Sequence, residues 1–261
     1  MPVYYRDESV VLLHSDCLAI LPTLAPVDHV ITDPPYEVEA HTKARRVQRG
    51  TAGTARARGD MRVETLPFAA ITDRQRLKAS REIGRLSMRW ALVFCQAEAA
   101  HKWRRALVLG HLSNRRWCVW VKPDGQPQFT GDRPGMGYET ILAMHANGAS
   151  RWNGGGRLGV FSHVKNVTGS RHADPHPTTK PLLLMVDLVT LFTDEGETIL
   201  DPFAGSGTTG VAAKLNGRKA ILIEQNERYC EVAAKRLQQT EPGRLFDKIA
   251  KAKPQSLLEK A

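Results

Sequence analysis

The sequence is poor in cysteine and has no long apolar run. Its four cysteines lie far apart without a C-x-x-C pair, so we expect reduced thiols and no zinc or other metal site: Cys17, Cys95, Cys118 and Cys230. No stretch approaches the ~20 apolar residues that cross a bilayer, and residues 1–9 lack the apolar core of a signal peptide. These absences favour a cytoplasmic protein without a membrane anchor.

Acidic residues are scarce relative to basic ones. The chain has 27 Asp and Glu against 37 Lys and Arg, which gives a net charge of +10 and a pI near 9.7. Hydrophobic residues make up 42%, an ordinary share for a globular protein, so the charge belongs to a chain that can fold. The balance indicates a polyanionic partner, and nucleic acid fits it better than an anionic membrane surface does.

The most informative stretch runs from Thr198 to Glu224. It begins with a short apolar strand, residues 198–200, and a G-x-G-x-x-G turn, residues 205–210. A helix follows up to Asn216, and a second strand, residues 220–223, ends at the carboxylate of Glu224. Glycines let backbone N–H groups approach a ligand at a helix N-terminus, and a carboxylate about 20 residues later can hold a ribose. The stretch predicts a nucleoside-binding unit, and the alternative is a tight turn without a ligand.

A second chemical motif lies far upstream, in Asp33-Pro34-Pro35-Tyr36. It follows a predicted strand, residues 27–32, and Pro35 has no donor for the sheet ladder, so the strand ends there. Ligands bind at the carboxyl edge of open α/β sheets. We therefore expect Asp33 and the 201–210 turn to share one cleft, while the alternative for the tetrapeptide is a capped turn.

Strands and helices alternate along the chain. Apolar strands are predicted at residues 10–13, 27–32, 91–95, 117–121, 138–146, 198–200 and 220–223. Helices are predicted at residues 17–21, from 72 or 73 to about 88, and at 98–109, 182–192 and 228–239. Strands that are apolar on both faces predict a mostly parallel, doubly wound α/β sheet with helices on each side. Residues 138–146 fit an antiparallel neighbour of 117–121, and the chain fits a single domain, 1–261.

Two irregular basic segments are candidates for nucleic-acid contact. The first, residues 37–62, has few large apolar residues, and its candidate contacts are Lys43, Arg45, Arg46, Arg49, Arg56 and Arg58. The second, residues 147–175, is rich in glycine, and its candidates are Arg151, Lys165, Asn166 and Arg171. Arg and Asn can read guanine and adenine edges through two hydrogen bonds. The alternative for the first segment is a solvated loop without a role.

Three motifs together resemble a known family. Residues 33–36, 176–181 (His-Pro-Thr-Thr-Lys-Pro) and 201–209 (Asp-Pro-Phe-Ala-Gly-Ser-Gly-Thr-Thr) resemble signatures of the amino-methylating DNA methyltransferases that use S-adenosylmethionine. Their order resembles that of the permuted β class, over about residues 10–240. The resemblance implies a Rossmann-like methyltransferase fold with circularly permuted motifs, double-stranded DNA as partner and a homodimer. It also divides the chain into a catalytic half, 10–146, a target-recognition segment, 147–175, a cofactor half, 176–240, and a polar tail, 241–261.

The resemblance also implies catalytic roles for Asp33, Pro34, Pro35 and Tyr36. An exocyclic amine is a poor nucleophile because its lone pair is delocalised into the ring. The Asp33 carboxylate and the Pro34 carbonyl would accept the two amine hydrogens and direct the lone pair at an activated methyl group. Tyr36 would stack on a base flipped out of the duplex. The Pro-Cys motif of C5-cytosine methylating enzymes is absent from the chain.

Cofactor contacts follow from the same resemblance. It implies that Glu224 holds the ribose, that residues 178–180, Thr208 and Thr209 face the methionine carboxylate, and that Asp16 accepts the adenine amine. For Asp16 the alternative is a helix N-cap. The implied set is Asp16, Cys17, Thr178, Thr179, Lys180, Asp201, Phe203, Ala204, Gly205, Ser206, Gly207, Thr208, Thr209 and Glu224.

Four functions remain open on the sequence. An adenine-N6 DNA methyltransferase is favoured, because Asp at the first motif position leans toward adenine in this family and Ser toward cytosine. The same enzyme acting on cytosine N4 is the first alternative. A nicotinamide dehydrogenase would use the glycine turn and Glu224, but it gives no account of residues 33–36 or of the charge. A non-catalytic nucleic-acid-binding module gives no account of an intact Asp33 and Tyr36.

Overall fold

The computed structural model describes residues 2–36, 70–125, 134–165 and 179–243, together with the backbone of 45–46 and 63–64. Its strands are β1 (Val3–Arg6), β2 (Val10–His14), β3 (His29–Thr32), β4 (Arg45–Arg46), β5 (Val63–Glu64), β6 (Trp90–Cys95), β7 (Ser113–Val121), β8 (Tyr138–His145), β9 (Val160–Ser162), β10 (Thr198–Asp201) and β11 (Lys219–Glu224). Its helices are α1 (Cys17–Ile20), α2 (Asp73–Leu86), α3 (Ala100–Leu109), α4 (Leu182–Phe192), α5 (Thr208–Leu215) and α6 (Glu227–Gln238).

Within the described residues, nine strands form one sheet in the order β1-β2-β11-β10-β3-β6-β8-β7-β9. Five neighbouring strands of this sheet, β2, β11, β10, β3 and β6, are parallel to one another. β8 is antiparallel to both β6 and β7, while β9 is parallel to β7 and β1 is antiparallel to β2. The prediction of a mostly parallel α/β sheet is confirmed, and so is the antiparallel pairing of β7 with β8.

Helices cover both faces of the sheet because neighbouring strand residues point to opposite sides. Ile31 packs with the helices of one face, α4 to α6, and Val30 packs with those of the other, α1 to α3. Both side chains are fully buried. Strands buried on both sides need a continuous apolar sequence, which is why the central strands were predictable from the chain alone.

The ends of two predicted helices show how local sequence sets their bounds. α2 begins after Thr72, whose hydroxyl accepts from the Gln75 N–H at 3.2 Å while the Gln75 side chain accepts from the Thr72 N–H at 3.0 Å. This capping box satisfies two backbone donors of the first turn. α2 ends at Leu86, two residues before the expected end, and α1 ends at Ile20 and continues as one 3₁₀ turn.

The pairing of β2 with β11 brings an early and a late segment of the chain together. Glu224 lies opposite His14 in a parallel register, and the Ser15 N–H donates to the Glu224 carbonyl at 2.9 Å. β10 lies between β11 and β3 and is parallel to both. The carboxyl ends of β2, β11, β10 and β3 therefore meet at one edge, which we call the carboxyl edge of the sheet.

Among the described residues, no helix combines the length and the apolarity that crossing a membrane requires. The same part of the chain has no group of three His, Cys, Asp or Glu side chains placed to hold a metal ion. All four cysteines are free and buried.

Candidate active site

A cavity of about 700 Å³ opens at the carboxyl edge of the sheet. It is lined by residues that follow β2, β3, β10 and β11 and by the start of α2. The predicted site residues that line it are Asp16, Cys17, Asp33, Pro34, Pro35, Tyr36, Thr179, Lys180, Asp201, Phe203, Ala204, Gly205, Ser206, Thr208, Thr209 and Glu224. The structure thus brings the two distant motifs into one cleft. Thr178 lies outside the described residues.

The glycine turn has the backbone shape that its sequence requires. Gly205 and Gly207 have φ angles of 51° and 77°, in the left-handed region that favours glycine. A Cβ on Gly207 would lie 2.8 Å from the Cβ of Ala233 on α6. Gly207 does not line the cavity, because it faces α6. The structure thus gives Gly207 a packing role, and its contact with a cofactor stays a prediction.

Asp201 anchors the turn to the sheet. Its carboxylate accepts the hydroxyls of Thr32 at 2.7 Å and Thr209 at 2.5 Å, together with the Phe203 N–H at 3.1 Å. Burial raises the pKa of Asp201 to about 6 although these donors lower it. The Thr209 hydroxyl thus donates its proton to a hydrogen bond within the protein. We expected that hydroxyl to face a methionine carboxylate, and the structure directs it to Asp201 instead.

Glu224 holds the other side of the turn. One carboxylate oxygen accepts the Gly205 N–H at 2.8 Å and the other accepts the Asn226 N–H at 2.8 Å. Each oxygen can accept a further hydrogen bond, and the residue lines the cavity. Burial raises the pKa of the Glu224 carboxyl. The carboxylate is therefore fixed in orientation and keeps acceptor capacity for a ligand.

Asp16 fits both interpretations offered by the sequence. Its Oδ1 accepts the Leu18 N–H at 2.9 Å, which makes it the N-cap of α1. The side chain also lines the cavity beside Cys17. One oxygen caps the helix, and the second can accept from a ligand.

Asp33 is held through one of its carboxylate oxygens. Its Oδ2 accepts from the Lys180 ammonium, whereas the buried Oδ1 meets no hydrogen-bond donor within the described ranges. Burial raises the pKa of Asp33, and the Lys180 ammonium opposes that rise. The carboxylate therefore has one buried acceptor oxygen in reserve at the cavity wall.

Lys180 does not have the neighbours that we expected. The sequence suggested that its ammonium faces a methionine carboxylate, but Nζ contacts Asp33 and lies 3.3 Å from the Tyr36 hydroxyl and 3.3 Å from Glu139 Oε2. A buried ammonium needs anionic partners, and these carboxylates supply them. Lys180 thus belongs to the Asp33 side of the cavity.

Sequence reasoning missed two supporting residues. Glu139, on β8, accepts a hydrogen bond from Lys122 and forms an ion pair with Lys180, and its one available signal was a charge at the start of a buried strand. Arg236, on α6, donates to the Ser206 carbonyl at 2.8 Å and to the Thr208 hydroxyl at 3.0 Å. No local motif marks Arg236, because it reaches the glycine turn from another helix.

Most of the predicted DNA-binding residues lie outside the described part of the chain, namely Lys43, Arg49, Arg56, Arg58, Asn166 and Arg171, and of Arg45 and Arg46 only the backbone in β4 is described. Arg151 forms an ion pair with Asp194, which precedes β10 and so lies at the edge opposite the cavity. Its side chain is 65% exposed, and its contact with nucleic acid stays a prediction. Lys165 donates its backbone N–H to Asp124 at 2.9 Å.

The chain matches a family of known proteins over most of its length. Residues 27–235 match the N6/N4 methyltransferase family, which is described as DNA methylase. The type II methyltransferase M2.DpnII of Streptococcus pneumoniae is 27% identical over 255 residues, covering 90% of this chain and 92% of that protein.

Solved structures show the same fold. The crystal structure of the M1.HpyAVI–SAM complex has a TM-score of 0.67 at 22% identity, covering 87% of this chain and 98% of that one. The PvuII DNA methyltransferase, named as cytosine-N4-specific, has a TM-score of 0.69 at 13% identity, covering 90% of this chain and 88% of that one. With a family match over residues 27–235 and an α/β cleft that holds both motifs, this chain belongs to the N6/N4 family of DNA methylases.

Proposed function

We propose that this DNA methyltransferase transfers the methyl group of S-adenosylmethionine to the exocyclic N6 of an adenine flipped out of double-stranded DNA. One observation carries the proposal. Asp33, the first residue of the Asp-Pro-Pro-Tyr motif, lines the same cavity as the glycine turn and Glu224, and its Oδ1 is a buried acceptor without a donor among the described residues.

The acceptor side of the cavity suits an aromatic amine. Asp33 Oδ1 and the Pro34 carbonyl can each accept one amine hydrogen, which localises the nitrogen lone pair for attack. Tyr36 lines the wall beside them, where its ring can stack on the flipped base. The Asp33 carboxylate acts here as an acceptor that orients the amine, so it does not need to be a strong base.

The donor side suits a nucleoside with a charged methionine chain. The residues present fit it, because Glu224 and Asp16 keep acceptor capacity beside a glycine turn that exposes backbone to the cavity. Glu224 would hold ribose hydroxyls, and Asp16 Oδ2 would accept a hydrogen bond from the adenine amine of the cofactor. Phe203 would pack on the methionine chain of the cofactor. When bound, the cofactor supplies an activated sulfonium methyl group. The protein contributes orientation and exclusion of water.

The choice of adenine rests on Asp33. In this family Asp at that position leans toward adenine and Ser toward cytosine, and this chain has Asp. The PvuII enzyme shares the fold at 13% identity, and a similarity at that level does not indicate which base this chain methylates. Cytosine N4 is therefore the competing outcome of the test.

The test follows a labelled methyl group into DNA. Purified protein is incubated with unmethylated DNA and methyl-deuterated S-adenosylmethionine, and the digested nucleosides are separated by mass spectrometry. We expect labelled N6-methyladenine, and none with Asp33→Ala. Labelled N4-methylcytosine alone would refute the choice of base, and absence of any labelled nucleoside from a protein that binds the cofactor would refute the function.

We also propose, on the resemblance, that the protein is a homodimer. Its four free, buried cysteines favour the cytoplasm as its compartment. Sedimentation velocity of the purified chain with and without DNA measures the oligomeric state. A monomer at all concentrations in both samples would refute the dimer and leave the methyl transfer untouched.

A further inference from the structure

Asp33 belongs to a cluster of four charged side chains, which it joins through Oδ2. The cluster comprises Asp33, Lys180, Glu139 and Lys122, and we call it the Asp33 charge cluster. The side chains of Lys180, Glu139 and Lys122 are 8%, 12% and 9% exposed, and that of Asp33, which lines the cavity, is 24% exposed. The three partners of Asp33 therefore have little contact with water. Two carboxylates face two ammonium groups, which leaves the cluster neutral when all four are ionised.

Three separate elements supply the partners of Asp33. Lys180 lies two residues before α4, Glu139 is the second residue of β8, and Lys122 directly follows β7. β7 and β8 pair antiparallel, with Trp120 opposite Glu139. The cluster thus links the antiparallel half of the sheet to the catalytic motif after β3, although no part of it except Asp33 belongs to that motif.

The contacts have a direction. Glu139 Oε1 accepts from Lys122, and its Oε2 lies 3.3 Å from the Lys180 ammonium. Lys180 in turn donates to Asp33 Oδ2 and lies 3.3 Å from the Tyr36 hydroxyl. Rotation of the Asp33 carboxyl about its last bond would break the contact with Lys180. Lys180 therefore fixes the plane of the Asp33 carboxylate.

We propose that Lys180 and Glu139 are positioning residues of methyl transfer: Lys180 holds the Asp33 carboxylate ionised with Oδ1 turned to the target amine, and Glu139 holds Lys180. The inference rests on the proposed function, since it assigns a partner to the acceptor Asp33. Neither residue needs to touch the base or the cofactor.

The charges around Asp33 give the inference a pH signature. Burial raises the pKa of Asp33 and the Lys180 ammonium lowers it, while the Glu139 carboxylate raises it. Burial also raises the pKa of Glu139, but the ammonium groups of Lys180 and Lys122 bring it to about 2. The groups that face Asp33 from all sides are Lys180, Glu139, Lys122, Tyr36 and Asp201. Removal of the Lys180 charge must raise the pKa of Asp33 further.

A protonated Asp33 donates where it must accept, so the acid limb of the activity profile follows its pKa. Lys180→Met removes the charge and keeps a side chain of similar length. For this variant we expect kcat at neutral pH to fall by at least about tenfold and the acid limb of the activity profile to move up by about one pH unit or more. S-adenosylmethionine affinity should stay within about threefold. Glu139→Gln should also lower kcat, because it loosens Lys180, but it removes a carboxylate that itself raises the pKa of Asp33. Its acid limb should therefore not move up as that of Lys180→Met does.

Lys214→Met is the matched control. Lys214 is also 8% exposed and pairs with Asp7, and it lies on α5 outside the cavity lining. Its replacement likewise removes a buried ion pair. Asp201, whose pKa burial raises to about 6, is intact in both variants, and a measurement on the carboxyl groups themselves distinguishes its titration from that of Asp33. Equal reductions of kcat and equal acid limbs in the two variants would overturn the inference.

A second readout works without activity. Carboxyl ¹³C signals of aspartate-labelled protein, with Asp33→Asn to assign the Asp33 signal, give the pKa of Asp33 directly by NMR. We expect a higher value in Lys180→Met than in the wild type and no change in Lys214→Met. An unchanged Asp33 pKa overturns the inference even if methyl transfer is present, whereas absent methyl transfer with the expected pKa change refutes the proposed function alone.

Discussion

At the scale of single residues, Asp33 and Asp16 stand at opposite ends of one cavity and are both held by a single oxygen. Asp33 Oδ2 is bound to Lys180, and Asp16 Oδ1 caps α1 through the Leu18 N–H. Both residues line the cavity, and Asp33 Oδ1 is buried without a hydrogen-bond donor among the described residues. In the proposed function Asp33 serves the base and Asp16 serves the cofactor, so the two residues should fail in different ways.

We predict that Asp33→Ala lowers kcat by at least about a thousandfold and changes S-adenosylmethionine affinity by less than about threefold. The reason is that Asp33 contacts the amine that reacts. Single-turnover methylation and calorimetric titration of the cofactor measure the two effects. A large drop in cofactor affinity in this variant would contradict the assignment of Asp33 to the base.

We predict the opposite pattern for Asp16→Ser. Serine keeps the N-cap of α1 but removes the second carboxylate oxygen, so cofactor affinity should fall by about tenfold or more because one charged hydrogen bond is absent. At saturating cofactor, kcat should stay near that of the wild type. Unchanged affinity would show that Asp16 is an N-cap and nothing else.

Local sequence identified these residues, but it did not identify their partners. Asp33 and Glu224 each end a predicted strand, and a strand end is visible in the chain. The direction of the Lys180 side chain depends on Glu139, 41 positions earlier in the chain and on another element. A contact of that kind is set by packing, which explains why the neighbours of Lys180 were not predictable from the chain and why Glu139 was missed.

At the scale of elements, the glycine turn and α6 fit closely against each other. Gly207 combines a φ of 77° with a Cβ position 2.8 Å from Ala233 Cβ. Gly196, between α4 and β10, has a φ of 82° but open space around its Cβ position. A comparison of the two glycines therefore separates the effect of the left-handed backbone from the effect of steric contact with α6.

We predict that Gly207→Ala lowers the free energy of unfolding by about 1–3 kcal/mol more than Gly196→Ala does, since both variants carry the left-handed strain and only Gly207 also meets α6. Urea unfolding with a common slope measures the difference. The Gly207 variant should also bind S-adenosylmethionine more weakly, because the turn lines the cavity on both sides of that residue. Equal stabilities would contradict the packing role of Gly207.

The central strands were predictable because they are apolar on both faces, as in Val30 and Ile31 of β3. The edge strands β1 and β9 were missed. β1 is largely exposed, so its sequence lacks the burial pattern that marks a strand, and β9 has three residues, of which only Phe161 is buried. β7 begins at Ser113, four residues before the expected start, since its first residues are polar and gain their order from β8.

At the scale of the whole molecule, the cavity needs an early and a late segment of the chain. β2, near the N-terminus, pairs with β11, near the C-terminus, and the cleft forms where these strands and their neighbours end. The permuted order of motifs remains a prediction from the resemblance. The strand order itself explains how Asp16 and Glu224, 208 positions apart, come to line one site.

The net charge of +10 should appear as salt-dependent DNA binding. We predict that replacing Arg45, Arg46 and Arg49 with Ala weakens binding and reduces the slope of log K against log salt by about 0.9 for each phosphate that the variant no longer neutralises. The matched control replaces three exposed arginines on α2 and α3, Arg81, Arg104 and Arg105, with the same change of net charge. A slope that changes equally in both variants would show that 37–62 has no specific role on DNA.

The central claim is that Asp33 faces the methyl donor across the width of one base. A crystal structure of the protein with bound S-adenosylmethionine tests it most directly, through the distance from the methyl carbon to Asp33 Oδ1. We predict that the cofactor lies between Asp16, Glu224 and the glycine turn, with a gap to Oδ1 that one adenine ring fills. A methyl carbon that points away from Asp33, or a gap that no single base can bridge, would contradict this account.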